Sequence, residues 1–187
     1  MKKIPTIFER DWNGDRSRVT DTPNPAAQWV FDGEGVATRK IDGTCCMVRS
    51  NVLFKRRELR KGDSAPDGFE LADHDDETGK TVGWVPVGVG QEDKFHREAW
   101  GLEVETVPDG TYELIGPKVQ GNPEKSITHR LERHGEGVAG VWYDVPRTFD
   151  GLREWFVGKD IEGVVFHHPD GRMAKIKKRD FGMKRND

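Results

Sequence analysis

The chain has 187 residues, enough for one domain with a real core and cramped for two. Apolar and charged residues each make up 34%, and nine Phe with six Trp supply the bulk of a packed interior, which excludes wholesale disorder. A net charge of −3 does not look like a nucleic-acid binder. No apolar run approaches the length of a membrane span, and the start MKKIPTIFERD lacks the apolar stretch of a leader, so a cytoplasmic protein without membrane association is expected.

Residues 1–28 are polar and broken by Pro5, Pro23 and Pro25, which predicts an irregular N-terminal lead-in. From Trp29 to about Arg57 the β-prone runs VATRKI, TCCMVRS and VLFKRR are separated by Asp42-Gly43 and Ser50-Asn51, the pattern of an antiparallel meander. Residues 58–110 are rich in Asp, Gly and Pro, and read as a loop-rich insertion with one or two edge strands such as GWVPVGV. TYELIGPKV is a strand that Gly116-Pro117 must interrupt, and GVAGVWYDV, 137–145, is another. Asp150 is placed to cap a short helix, because Leu152, Trp155 and Phe156 recur at i, i+3 and i+4. IEGVVFHHPDGRMAKIKK alternates on both sides of Pro169-Asp170-Gly171, the sequence form of a hairpin. The sum is a single α+β domain of antiparallel sheets with flanking helices over 1–187.

The overall charge hides segregation. FKRRELRK (54–61) and RMAKIKKRDFGMKR (172–185) are basic, whereas DSAPDGFELADHDDE (63–77) has no Lys or Arg. Cys45 and Cys46 are adjacent, read as reduced thiols on opposite faces of a strand, and no Cys/His spacing suggests zinc.

Chemistry centres on KIDG, 40–43. Taken alone it also reads as an Asp-Gly hairpin turn after a solvated lysine. Further along come Arg56-Arg57, YELIG (112–116), VWYDV (141–145), IEGVV (161–165) and AKIKK (174–178). Lys175 and Lys177 alternate about Ile176, so both ammonium groups share one strand face. Glu162 falls on the partner arm of that hairpin, where a carboxylate among lysines is either a metal ligand or a cross-strand ion pair.

This ordered succession resembles the covalent nucleotidyltransferase superfamily of polynucleotide ligases and capping enzymes. KIDGTCC, GWVPV, ELIGPKVQGNP and IEGVVFHHPDG look most like the RNA ligases related to the vertebrate 5′-3′ RNA ligase. The resemblance implies a nucleotidyltransferase core, ATP with Mg²⁺ or Mn²⁺, and RNA carrying 5′-phosphate and 3′-hydroxyl ends. It makes Lys40 the nucleophile that carries AMP, with Asp42, Lys175 and Lys177 beside it in catalysis. Arg39, Gly43, Arg57, Glu113, Tyr143 and Trp142 fall at nucleotide-binding positions, with Tyr143 favoured over Trp142 for stacking on adenine. Glu162 and Glu113 become metal ligands, and Arg56, Lys118 and Lys178 contact RNA. Sequence alone does not choose between Arg56 and Arg57. Two departures stand out: Arg39 precedes the nucleophile where relatives often carry an acid, and the length leaves no room for an OB-fold. A minimal DNA ligase or guanylyltransferase, and a non-catalytic RNA-end binder of the same fold, are the competing readings.

Overall fold

The computed structural model describes residues 4–76, 79–102, 107–135 and 140–187. In chain order its first elements are β1 Phe8–Arg10, β2 Val19–Pro23, α1 Gln28–Phe31, β3 Val36–Lys40, β4 Thr44–Arg49, β5 Val52–Leu59 and β6 Glu70–Asp75. Then come β7 Lys80–Pro86, α2 Lys94–Gly101, β8 Gly110–Ile115, β9 Arg130–Arg133, β10 Val141–Trp142, α3 Phe149–Phe156, β11 Gly163–His167 and β12 Met173–Lys177. Pairing between these strands is antiparallel throughout, so the protein is an α+β fold of antiparallel sheets. No helix among the described residues is long and apolar enough to cross a membrane.

The chain forms two compact units, one of Asp42–His134 and one of Ile4–Ile41 with Gly135–Asp187. The first is a six-stranded sheet ordered β6-β7-β5-β4-β8-β9. Ser50 and Asn51 both adopt left-handed backbone, φ 50 and 60, which suits the right-handed twist of the β4–β5 hairpin they join. One sheet face carries Cys46, Val48, Leu53, Tyr112 and Leu114, and α2 covers it with Phe95, Ala99 and Trp100. Lys55 reaches from that face to the buried Asp93 at 2.5 Å, and Asp93 also accepts from Gly88 N–H at 2.7 Å.

Within 58–110 the structure departs from the loop-rich expectation. β7 lies inside the sheet between β6 and β5, and Val82, Gly83, Trp84 and Val85 are buried. Gly83 reads as a loop residue, yet a Cβ there would lie 2.3 Å from the Phe69 ring and 2.4 Å from Glu70 O. It is glycine for close approach. The acidic residues of β6 fall on a sheet edge, where charge deters pairing with another chain.

The second unit is a four-stranded sheet ordered β10-β3-β11-β12, with the β1–β2 pair beside it. Ile7 N–H donates to Lys175 O at 3.0 Å and Lys175 N–H to Pro5 O at 2.9 Å, so the lead-in continues the sheet beyond β12. Residues 4–28, expected to be irregular, thus hold two short strands and a 3-10 turn at Pro25–Ala27 that leads into α1. The core side carries Ala37, Val164, Phe166, Ala174 and Ile176, packed with Phe8, Trp29, Leu152 and Phe156. Burying a Phe or Leu of this kind contributes about 1.5–3 kcal/mol. α3 forms where expected, but its cap is Thr148, whose Oγ1 accepts from Gly151 N–H at 3.3 Å, while Asp150 lies in the first turn. Of the expected strand 137–145 only Val141–Trp142 pairs, and 136–139 lie outside the described residues.

The meander expected over 29–57 does not form. Trp29 is in α1, and β3 joins a different sheet from β4 and β5. Asp42-Gly43 is therefore not a hairpin turn but the point where the chain leaves one sheet for another. Lys178, expected at the RNA, is 1% exposed. Its Nζ donates to the carbonyls of Lys159 at 2.7 Å and of Arg185 and Asp187 at 2.8 Å each, a latch for the last residues. Lys178→Met removes that donor and should cost about 1–3 kcal/mol. The expected readout is a lower urea midpoint with an unchanged slope, and an unchanged midpoint would show the latch to be neutral.

Candidate active site

The register of the four-stranded sheet sets Lys40 and Lys177 on either side of Gly163, with Thr38, Val165 and Lys175 forming the next row. Directly opposed residues share a face, so Lys40, Lys175 and Lys177 project from the side away from the core. Gly163 lets the strands close here, since a Cβ would lie 2.2 Å from Ile176 O and 2.8 Å from Lys177 Cα. Glu162, one residue before β11, sends its carboxylate between the two flanking lysines. Oε2 accepts from Lys40 Nζ at 2.6 Å, and Oε1 accepts from Lys177 Nζ. Lys177 N–H donates to the buried Asp180 at 2.9 Å, and Asp180 is itself paired with Arg10 at 2.8 Å.

Burial pushes the Glu162 carboxyl up, but the Lys40 and Lys177 ammonium groups outweigh it and hold it below the ordinary value. Lys175 moves in the direction expected of a crowded cation. Burial first, then the charges of Lys177 and Lys40, bring its amine down to about 8. With Asp180 balanced by Arg10, three lysines surround one glutamate, and the surplus charge makes this a place for an anion.

Arg39 and Trp142 are not brought to this face. Arg39 lies opposite Val164 and Trp142 opposite Ala37, both core-side positions. Trp142 packs on Trp155 with ring centroids 5.5 Å apart. Tyr143, just past β10, is 89% exposed.

In the other unit, β4–β8 register pairs Cys45 with Glu113, and β8–β9 register pairs Glu113 with Glu132. This face is the reverse of the one that carries Cys46 and Leu114. Gly43 sits at its end: a Cβ would lie 2.2 Å from Leu114 O and 2.9 Å from Glu113 Cγ. Gly43 N–H donates to Glu113 Oε1 at 3.1 Å, and His134 Nε2 lies 2.9 Å from Glu113 Oε2. Asp42 N–H donates to Glu124 at 3.1 Å. Glu113 is 7% exposed, so this acid is an interior group and not an edge charge. Arg56 pairs with Trp84 on the Cys45–Glu113 face, whereas Arg57 pairs with Gly83 on the opposite one. Lys118 is exposed, with its N–H 3.3 Å from His129 Nε2. Sequence reasoning missed His134 and Glu124, which reach their partners only through the β8–β9 pairing and the long loop between these strands.

Fold and site together define an antiparallel α+β protein whose Lys-x-Asp-Gly lysine is held in a cluster of cations about one carboxylate. No family model matches the chain. Among curated proteins it is similar to RNA ligase 1 of Pongo abelii, 30% identical over 98% of this chain and 81% of the relative. RNA ligase 1 of Danio rerio is 27% identical over 98% of this chain and 82% of the relative, and that of Mus musculus 26% identical over 98% and 81%. The chain belongs to the RNA ligase 1 family.

Folded Lys175 binds its proton less tightly than the ordinary lysine value of 10.5, so the unfolded chain holds more protons between about 8 and 10.5. This group's contribution therefore makes stability rise with pH through that window. Lys175→Met should remove the rise, seen as the difference between wild-type and variant urea midpoints across the window. Parallel curves would contradict the crowded-cation geometry.

Proposed function

We propose that the protein is an ATP-dependent RNA ligase that joins 5′-phosphate and 3′-hydroxyl RNA ends through AMP carried on Lys40. The observation that carries this reading is the Lys40–Glu162–Lys177 cluster, with Lys175 in the next row and Lys40 on the strand that leads into Asp42-Gly43. Family membership supports it, since the curated relatives are named RNA ligase 1.

In the first step Lys40 Nζ, having given up a proton, attacks the α-phosphorus of ATP. A P–N bond forms, the bond to the β-phosphate oxygen breaks, and pyrophosphate leaves. Paired with Glu162, Lys40 is a cation and no nucleophile, so it must leave that pairing and pass its proton to solvent before it attacks. Lys177 and Lys175 meet the negative charge on the phosphoryl oxygens as the bond changes. AMP then passes to the 5′-phosphate of RNA, forming a pyrophosphate link, and the 3′-hydroxyl displaces AMP to seal the strand.

Glu162, a hard oxygen donor facing the lysines, is the residue that would hold Mg²⁺ or Mn²⁺. The ion supplies neutralisation of the triphosphate and its leaving group. Both Glu162 oxygens accept from lysines, so an ion held there would compete with Lys40 and Lys177 for the carboxylate. Asp42 and Gly43 fix the turn that follows the nucleophile. The resemblance assigns Glu113 to the ribose, the exposed Tyr143 is offered to adenine, and Arg56, by its register on the Cys45–Glu113 face, is a better candidate for substrate contact than Arg57.

The test is a joining assay with ATP and a labelled single-stranded RNA bearing 5′-phosphate and 3′-hydroxyl ends, run beside the matching DNA. Circular or joined RNA is expected, with Lys40→Ala reduced at least about 1,000-fold, as for loss of a covalent nucleophile. Glu162→Gln should fall about 100-fold and recover in part at high Mn²⁺. Equal joining by Lys40→Ala, or joining of DNA alone, would overturn the reading.

A further inference from the structure

Cys45, Glu113 and His134 come from three adjacent strands or their ends, and their donor atoms lie within 4.8 Å of one another. We propose that these three side chains form a binding site for a zinc-class transition-metal ion, distinct from the hard Mg²⁺ or Mn²⁺ of the ligation chemistry.

The donor set argues for that class. Thiolate, imidazole and carboxylate together suit Zn²⁺ or Co²⁺, whereas Mg²⁺ prefers oxygen alone. A tetrahedral ion bound at about 2.0–2.3 Å needs ligand separations of roughly 3.3–3.7 Å, so a small side-chain adjustment suffices. Three protein ligands leave a fourth position for water or a substrate oxygen.

The supporting groups fit as well. His134 Nδ1 lies 3.0 Å from Thr111 Oγ1, so an Nδ1–H donated to Thr111 leaves the Nε2 lone pair free for the ion. Gly43 N–H holds Glu113 Oε1 at 3.1 Å and leaves Oε2, now beside His134, as the ligand oxygen. Burial fixes the carboxylate, 7% exposed, so two of the three ligands are oriented beforehand. Binding would release the thiol proton of Cys45 to solvent and hold the imidazole N–H on Nδ1, toward Thr111. The neighbouring Cys46 takes no part, because it faces the opposite side of β4 and is fully buried.

The inference does not depend on the ligase reading, and its test needs neither nucleotide nor RNA. Protein stripped with a chelator is titrated with Co²⁺ alone and followed by absorbance, then with Zn²⁺ in competition. One equivalent of Co²⁺ with a near-ultraviolet thiolate-to-cobalt band is expected, displaced by Zn²⁺. The band should vanish in Cys45→Ser, and affinity should drop at least about 100-fold in His134→Gln, at a partly exposed site. Thr111→Val should weaken binding about 10–100-fold. Tighter binding at higher pH is the sign of the released proton. No thiolate band in the wild type, or a band that survives both Cys45→Ser and His134→Gln, would overturn the proposal.

Discussion

The four-stranded sheet can gather like charges because one carboxylate stands among them. Lys40 and Lys177 come from separate strands on either side of β11, and in a partly buried setting their ammonium groups would repel without Glu162 between them. The carboxylate relieves that repulsion and fixes both lysine tips on one side of the sheet. It does not neutralise the cluster, for Lys175 in the next row keeps the balance positive and carries an amine lowered to about 8. In the proposed chemistry a phosphate takes over part of the carboxylate's role. That link between structure and binding is the physical core of the proposed chemistry.

Glycine placement makes the arrangement possible. Gly163 allows β12 to approach β11 where the lysines flank it, and Gly43 allows the chain after Lys40 to lie against β8 and to donate its N–H to Glu113. In both places a methyl group would meet a backbone oxygen at 2.2 Å. The Gly of Lys-x-Asp-Gly and the Gly of Glu-Gly are thus steric requirements of strand approach, each adjacent to a charged residue of the site. The same reasoning applies to Gly83 inside β7, where the constraint is the Phe69 ring.

What could be read in the sequence was what local pattern determines. The β11–β12 hairpin, with Lys175 and Lys177 on one face, follows from period-two alternation about Pro-Asp-Gly, and the Ser50-Asn51 turn from two β-prone runs. The destination of β3 was not legible, because Asp42-Gly43 has the composition of a hairpin turn whether the next strand returns or departs to another sheet. Arg39 and Trp142 went astray for a related reason: their faces depend on register with β11 and β3, and one residue reverses a side chain. β7 was legible in GWVPVGV as an edge strand, but its place inside the sheet was not, because Gly83 and Pro86 suit an edge and pairing with both β6 and β5 has no local signal. The approach of His134 to Glu113 and Cys45 had no local signal at all, since it arises from β8 pairing on both edges.

The most direct measurement is the position of a covalent nucleotide. The purified protein, freed of any bound AMP, is incubated with Mg²⁺ and ATP, GTP or NAD⁺ in turn, digested, and its peptides mapped by mass spectrometry. The account predicts an AMP adduct from ATP on the peptide that contains RKIDGTCC, with fragment ions assigning it to Lys40. An adduct on another lysine, or none from any of the three nucleotides, would contradict it.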